Sequence, residues 1–136
     1  MGMARTKKSL NSVIFLDTNA ILWLYAGDLD KFSTMSTTLL HDGTLLYSPM
    51  STLEIQYLYE LDKISSSPSV IFEALADEIS LTPSDTPFQT VIQYAIQNTW
   101  TRDPFDRIIV AYAQAHSATL VTADKMIQKY YKRAVM

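Results

Sequence analysis

Three carboxylates fall where strand-like segments hand over to helices, Asp17 after Val13-Ile14-Phe15-Leu16, Glu54 in the segment opened by Ser51 and Asp124 past Leu120-Val121-Thr122, and a fourth, Asp106, lies in the first turn of the helix that Asp103-Pro104 opens. A carboxylate can hold a hard cation, move a proton or cap a helix. Capping accounts for each acid taken alone. Ser51-Thr52-Leu53-Glu54 matches a capping box, Asp103 suits an N-cap with Pro104 at the first helical position and Asp106 at the third, and Asp17 and Asp124 suit helix N-termini. Capping does not require that all these termini share one rim. Ionised carboxylates gathered within ~4 Å repel by about 4 kcal/mol at an effective dielectric near 20, and a divalent cation resolves that conflict. The chain has no cysteine, and His41 and His116 stand apart from the acidic segments, each read as a helix-surface or half-buried side chain. An all-oxygen donor set of this kind favours Mg²⁺, with Mn²⁺ able to substitute, over Zn²⁺.

Such a rim needs strands that end together. Val13–Leu16 and Thr44-Leu45-Leu46-Tyr47 are short apolar runs, each followed by cap or turn residues and then a helical pattern. A helix is expected from Ala20 to near Gly27, a second from about Leu29 to His41, and a third with Ile55, Leu58, Tyr59 and Leu61 on its stripe. Ser65-Ser66-Ser67-Pro68 starts another helix, carrying Val70, Ile71, Leu75 and Ile79, and Ile79-Ser80-Leu81 is a candidate strand. Phe88, Val91, Ile92, Ala95 and Ile96 mark the next helix, Ile108, Ile109, Tyr112 and Ala115 the one after Pro104, Ala118–Thr122 a strand, and Asp124 opens the last helix. Continuously apolar strands alternating with helices imply an α/β fold whose parallel sheet is covered on both faces. In open sheets of this class ligands bind beyond the carboxyl ends of the strands, where Asp17, Glu54 and Asp124 fall.

Composition limits the function classes. With 136 residues, 48% hydrophobic and 18% charged, the chain suits one globular domain over 13–136, and residues 1–12 read as a flexible or artificially added start. No run approaches the ~18 apolar residues of a membrane span. A membrane partner is therefore not expected. The absence of cysteine is compatible with a reducing cytoplasm. The formal charge of −3 argues weakly against a broad nucleic-acid surface, although Lys125, Lys129, Lys132 and Arg133 crowd the last segment.

Four segments carry a resemblance. Phe15-Leu16-Asp17-Thr18-Asn19-Ala20, Ser51-Thr52-Leu53-Glu54-Ile55, the run from Arg102-Asp103-Pro104-Phe105-Asp106-Arg107 to Ala111, and Leu120-Val121-Thr122-Ala123-Asp124 resemble, in order, the signature segments of PIN-domain ribonucleases. The nearest likeness is to VapC-type toxins of type II toxin–antitoxin systems. The resemblance spans about Val13 to Tyr131 and implies a PIN-like three-layer α/β/α fold with a short, mainly parallel central sheet, its final edge strand very short or missing here. It implies a catalytic metal site of Asp17, Glu54, Asp106 and Asp124, with Thr18, Asn19, Asp103 and Thr122 orienting them. Thr122 also reads as an ordinary strand threonine. The implied chemistry is hydrolysis of RNA phosphodiesters by water activated at one or two ions, with no protein nucleophile. Implied partners are RNA, a neutralising antitoxin protein and a second copy of the chain.

Because the ions bring positive charge to the phosphate, the acidic net charge is no obstacle to RNA. Arg102, Arg107, Lys125 and Lys129 are the expected contacts to flanking phosphates, while Trp100 and Tyr59 are candidates for base stacking or for packing. A receiver-like, non-catalytic metal-binding signalling or interaction domain is the alternative. That fold calls for adjacent acids after the first strand and a lysine after the last, whereas Asp17 is followed by Thr18-Asn19 and Val121-Thr122 leads to an acid. An Asp-x-Asp phosphatase would need an acid where Asn19 stands.

Overall fold

The structure, a computed structural model, describes residues 12–136, so the expectation for the start of the chain lies, for residues 1–11, outside the described residues. Strand β1 (Val13–Leu16) leads through Asp17 into α1 (Thr18–Ala26), which Gly27 closes with φ 78°, a left-handed conformation that glycine adopts without strain. Helix α2 (Thr34–Asp42) precedes β2 (Thr44–Tyr47), and α3 (Pro49–Glu60) and α4 (Pro68–Ile79) follow. After β3 (Thr82–Pro83) come α5 (Phe88–Ala95), α6 (Pro104–Ala115), β4 (Thr119–Val121), α7 (Lys125–Tyr130) and β5 (Ala134–Val135).

Three expectations are corrected. The helix expected from Leu29 to His41 divides into a 3₁₀ turn, Leu29–Lys31, and α2, because Ser33 takes the N-cap position and its Oγ accepts from Ser36 N at 3.1 Å. The strand expected at Ile79-Ser80-Leu81 lies one step later, at Thr82–Pro83, since Ser80 ends α4 in a left-handed conformation. Val70, Phe88 and Ile96 belong to the expected helices but point outward. The final strand is present, two residues long, and pairs with β4.

All five strands are parallel, in the order β3-β2-β1-β4-β5. The period of two along β1 divides the core: Ile14 and Leu16 pack with Ala20, Ile21, Ile55, Ile71 and Leu75 on one face, and Phe15 with Val91, Ile109, Val110 and Ile127 on the other. The three expected layers are thus formed. Close approach at the start of β2 requires Gly43, where an added Cβ would stand 2.4 Å from Ile14 Cγ1.

Two features of this topology place the site. Leu16 is in register with both Tyr47 and Val121, so β1, β2 and β4 end level with one another. Connections from β1 run first toward β2 and later return to β4 on its other side, which makes the end of β1 the switch point where a crevice opens. The order also differs from the 2-1-3-4-5 order of receiver-like flavodoxin folds, and this removes the alternative fold.

Candidate active site

Asp17 lies at the crevice, buried, with both carboxylate oxygens held. Its N–H donates to Val121 O at 3.1 Å, its Oδ1 accepts from Ala20 N at 2.9 Å, and its Oδ2 accepts from the buried Thr122 hydroxyl in a very short bond. Asp17 is therefore the N-cap of α1 and a member of the cluster at once. Thr122 is more than a strand residue: its Oγ1 also accepts from Asp124 N at 3.1 Å, and Gln128 Nε2 donates to its carbonyl at 2.8 Å. One hydroxyl thereby links two of the acids.

A second threonine repeats the device. Buried Thr18 donates to Glu54 Oε1 at 2.5 Å, and its hydroxyl lies 3.0 Å from that of Ser51, itself fully buried. The capping box expected over Ser51–Glu54 does not form, because α3 begins earlier. Ser48 is the N-cap, with Oγ accepting from Met50 N at 3.0 Å, and Pro49, which needs no partner for a missing N–H, takes the first helical position. Glu54 thus sits beyond the first turn and is free of capping.

At the start of α6 the local pattern is as expected: Asp103 is the N-cap, its Oδ1 accepting from Phe105 N at 2.9 Å, and Asp106 is the third helical residue. Helix α6 runs antiparallel to the strand that follows it, which brings its N-terminus to the same rim. Asp124 caps α7, with Oδ1 accepting from Met126 N at 2.8 Å and Ile127 N at 3.1 Å. Asp106, by contrast, makes no side-chain hydrogen bond among the described residues.

Electrostatics tie these acids together. Burial, opposed by the Thr122 and Ala20 bonds and reinforced by the charges of Glu54 and Asp124, raises the Asp17 pKa to about 6. Burial, then repulsion from Asp103, Asp124, Glu54 and Asp17, raises that of Asp106 to about 7. Glu54 is pushed up by burial and by Asp103 against the Thr18 bond. No lysine or arginine among the described residues forms an ion pair with any of the five. Nor do any three of the acidic or histidine side chains among the described residues stand close enough together to enclose an ion as they are placed. The rim is a set of mutually repelling oxygen donors, several of them turned toward hydroxyl and amide donors, and it has no paired counter-charge among the described residues. That donor set suits a hard divalent cation.

The other expected residues divide. Asn19 is exposed, and its side chain makes no hydrogen bond among the described residues. Arg107 is half-buried, its Nε and Nη2 donating to Ala95 O at 3.2 and 3.1 Å and Nη2 also to Ile96 O at 3.2 Å, so it holds the last carbonyls of α5. Arg102 is exposed and donates to Thr99 O at 3.1 Å. Lys125 and Lys129 are exposed on α7, just beyond Asp124. His41 pairs with Asp42, and His116 packs against the Phe15 ring and bonds Thr86, both apart from the acids. Ser51 and Gln128 are the site residues the sequence did not reveal. Ser51 was hidden by its resemblance to a cap, and nothing in the sequence distinguishes Gln128 from other helix glutamines.

Residues 14–133 match the PIN-domain family model. The chain belongs to the PIN-domain family. Among curated relatives of this PIN-domain chain, Ribonuclease VapC22 of Mycobacterium tuberculosis is 26% identical over 121 residues, covering 88% of the chain and 92% of the relative. Among solved structures, VapBC2 of Rickettsia felis bound to a DNA fragment from its promoter superposes with TM-score 0.62 at 17% identity over 91% of this chain and 97% of that one. A toxin–antitoxin complex from Klebsiella pneumoniae gives 0.58 at 16% identity over 90% and 96%. These structures share its fold. The resemblance carried by the four segments is borne out.

Proposed function

We propose that this PIN-domain protein is a ribonuclease, the toxin of a toxin–antitoxin pair, and that it hydrolyses RNA phosphodiesters with Mg²⁺ or Mn²⁺. The observation that carries this reading is the rim itself: acids from four separate segments, electrostatically coupled and without a basic partner among the described residues, at the switch point of a PIN-domain sheet. The similarity to Ribonuclease VapC22 supports the RNA substrate.

Asp17, Glu54, Asp106 and Asp124 are the residues that would hold the ion. A bound divalent ion supplies Lewis-acid activation of water and neutralises charge on the phosphate. The chain's own part is to keep ligands oriented and available. Thr122 fixes the Asp17 carboxylate, Thr18, itself bonded to Ser51, fixes Glu54, and Asp103 positions the first turn of α6 that presents Asp106. Asn19 is exposed in the first turn of α1, its side chain without a hydrogen bond among the described residues. Exposed Arg102 and Lys125, next in sequence to Asp103 and Asp124, and exposed Lys129 farther along α7 supply contacts for flanking phosphates. Arg107 adds its charge to theirs while its fork stays on α5.

A protein partner has a surface available. Leu53, Tyr57 and Leu61 form an i, i+4, i+8 stripe along and just past α3, 56%, 51% and 47% exposed, beside a groove of about 650 Å³ between α3 and α4. An apolar helix of the antitoxin fits this face, and likeness to a toxin–antitoxin complex supports such a partner. A homodimer and a cytoplasmic location complete the reading. Among the described residues no helix is long and apolar enough to cross a membrane.

The test is cleavage of a mixed RNA panel with Mg²⁺ or Mn²⁺, with and without chelator, by the native chain and by Asp17→Asn and Asp106→Asn. Cleavage should require the ion and vanish in both variants while circular dichroism is unchanged. Equal cutting by the variants would refute the assignment.

A further inference from the structure

Lys125 to Met136 contains four basic residues and no acidic one, in a chain of formal charge −3, and none of the four is ion-paired among the described residues. Within that segment the Tyr130 ring, 49% exposed, lies flat against Trp100, centroids 5.4 Å apart and planes 6° from parallel. Lys129 Nζ stands 5.4 Å from the Tyr130 centroid. The next residue, Tyr131, is buried and bonds Ala118 O through its hydroxyl, so the end of α7 is anchored and the Tyr130 ring is held in place.

Beside this stack opens a cavity of about 430 Å³, lined chiefly by Tyr94, Gln97, Gln114, Tyr130, Lys132 and Arg133, with neither a carboxylate nor an aliphatic side chain in its wall. Its chemistry is that of π-faces, amide groups and cations. An apolar protein helix finds no pocket there, and finds one instead between α3 and α4. A nucleotide finds all it needs: a ring on which to stack, amides for base edges and cations for phosphate.

We propose that Tyr130, braced by Trp100, is a base-stacking platform for single-stranded RNA, with Lys129, Lys132 and Arg133 holding the phosphates beside it. This extends the ribonuclease reading by assigning the path of the substrate away from the acids. The six residues of α7 separate the platform from Asp124, a rise of ~9 Å. That is two to three stacked nucleotides at ~3.4 Å each. Trp100 lies just upstream of Asp103 and Tyr130 ends the helix that Asp124 caps, so the platform is joined to two of the segments that build the rim.

The test is fluorescence-anisotropy titration of a labelled oligouridylate of about ten nucleotides in EDTA, where cutting does not contribute, repeated with an acidic peptide as probe. Tyr130→Ala should weaken RNA binding by about tenfold, Tyr130→Phe should stay within about twofold of the native chain, and Lys132→Glu should lower the slope of log Kd against log salt by about one. Native-chain binding should also quench tryptophan fluorescence. Equal RNA affinity of Tyr130→Ala and the native chain, or loss of peptide binding alone, overturns the proposal. A chain that cuts RNA with Mn²⁺ yet ignores Tyr130→Ala keeps its nuclease reading and loses the platform, whereas Tyr130-dependent binding without cutting does the reverse.

Discussion

The Thr122 hydroxyl donates its proton to Asp17 Oδ2 across 105 positions of sequence, joining the end of β4 to the end of β1 inside the core. Thr122→Val keeps the shape of the side chain and removes only the hydroxyl, a donor to Asp17 and an acceptor from Asp124 N. It leaves a buried carboxylate oxygen unsatisfied and releases Asp124 N, so unfolding free energy should fall by about 1–3 kcal/mol. Metal-dependent cleavage should fall ~10–100-fold, as when a group that orients a metal ligand is lost. Denaturant titration and initial rates check both. An unchanged rate would mean that the bond only stabilises the fold.

Stability should depend on pH in a direction set by Asp17 and Asp106. Both carboxyls titrate higher in the folded chain, near 6 and 7, than their ordinary value of 3.8. Between those values the native state binds more protons than the unfolded state, so this stabilisation is present below about pH 4 and is lost as pH rises through 6–7. In EDTA the melting temperature should accordingly contain a falling contribution from pH 4.5 to pH 7.5. Mg²⁺ or Mn²⁺ should raise the melting temperature at pH 7.5 far more than at pH 5, where protons compete for the same oxygens. Equal rescue at both pH values would contradict the placement of the ion among these acids.

Asp106→Asn removes the carboxylate that four neighbouring acids repel and that no hydrogen bond compensates among the described residues. In EDTA at pH 8 the variant should melt higher than the native chain by about 2–4 °C for each kcal/mol of relieved repulsion, while RNA cleavage is lost. A lower melting temperature would show that Asp106 supports the fold and is not held there at its expense.

The guanidinium of Arg107 grips Ala95 and Ile96 carbonyls through three bonds. Arg107→Lys, which keeps the charge but not the fork, should cost about 1–2 kcal/mol of stability and leave the salt dependence of RNA binding unchanged. Lys125→Glu should do the opposite, sparing stability and lowering the salt slope by about one or more.

Much of this site was legible because its residues serve two purposes. Asp17, Asp103 and Asp124 are caps, and caps are visible from local spacing, so the segments that carry them are found at their expected places. Glu54 was visible as an acid but its setting was misread, because Pro49 starts α3 ahead of Ser51 and turns an apparent cap into a side chain that reaches Thr18. Ser51 and Gln128 act through contacts that exist only after β1, β2 and β4 have been brought level, and no window of neighbouring residues encodes them. The same holds for Trp100 and Tyr130, whose stacking joins two segments distant in sequence. The outward turn of Val70, Phe88 and Ile96 likewise depends on which helix faces the sheet covers, and periodicity within one helix does not decide that.

The place of β1 at the middle of the sheet has a consequence for biosynthesis. One neighbour of β1, β2, emerges soon after it, whereas β4 and its outer partner β5 emerge last. Closing such distant parallel pairs is entropically slow, and until it happens one backbone edge of β1 has no partner. A growing chain therefore carries Asp17 and Glu54 without Thr122 or Asp124 to complete them. Whatever chemistry the finished rim performs is withheld until β4 and the residues just beyond it have been made.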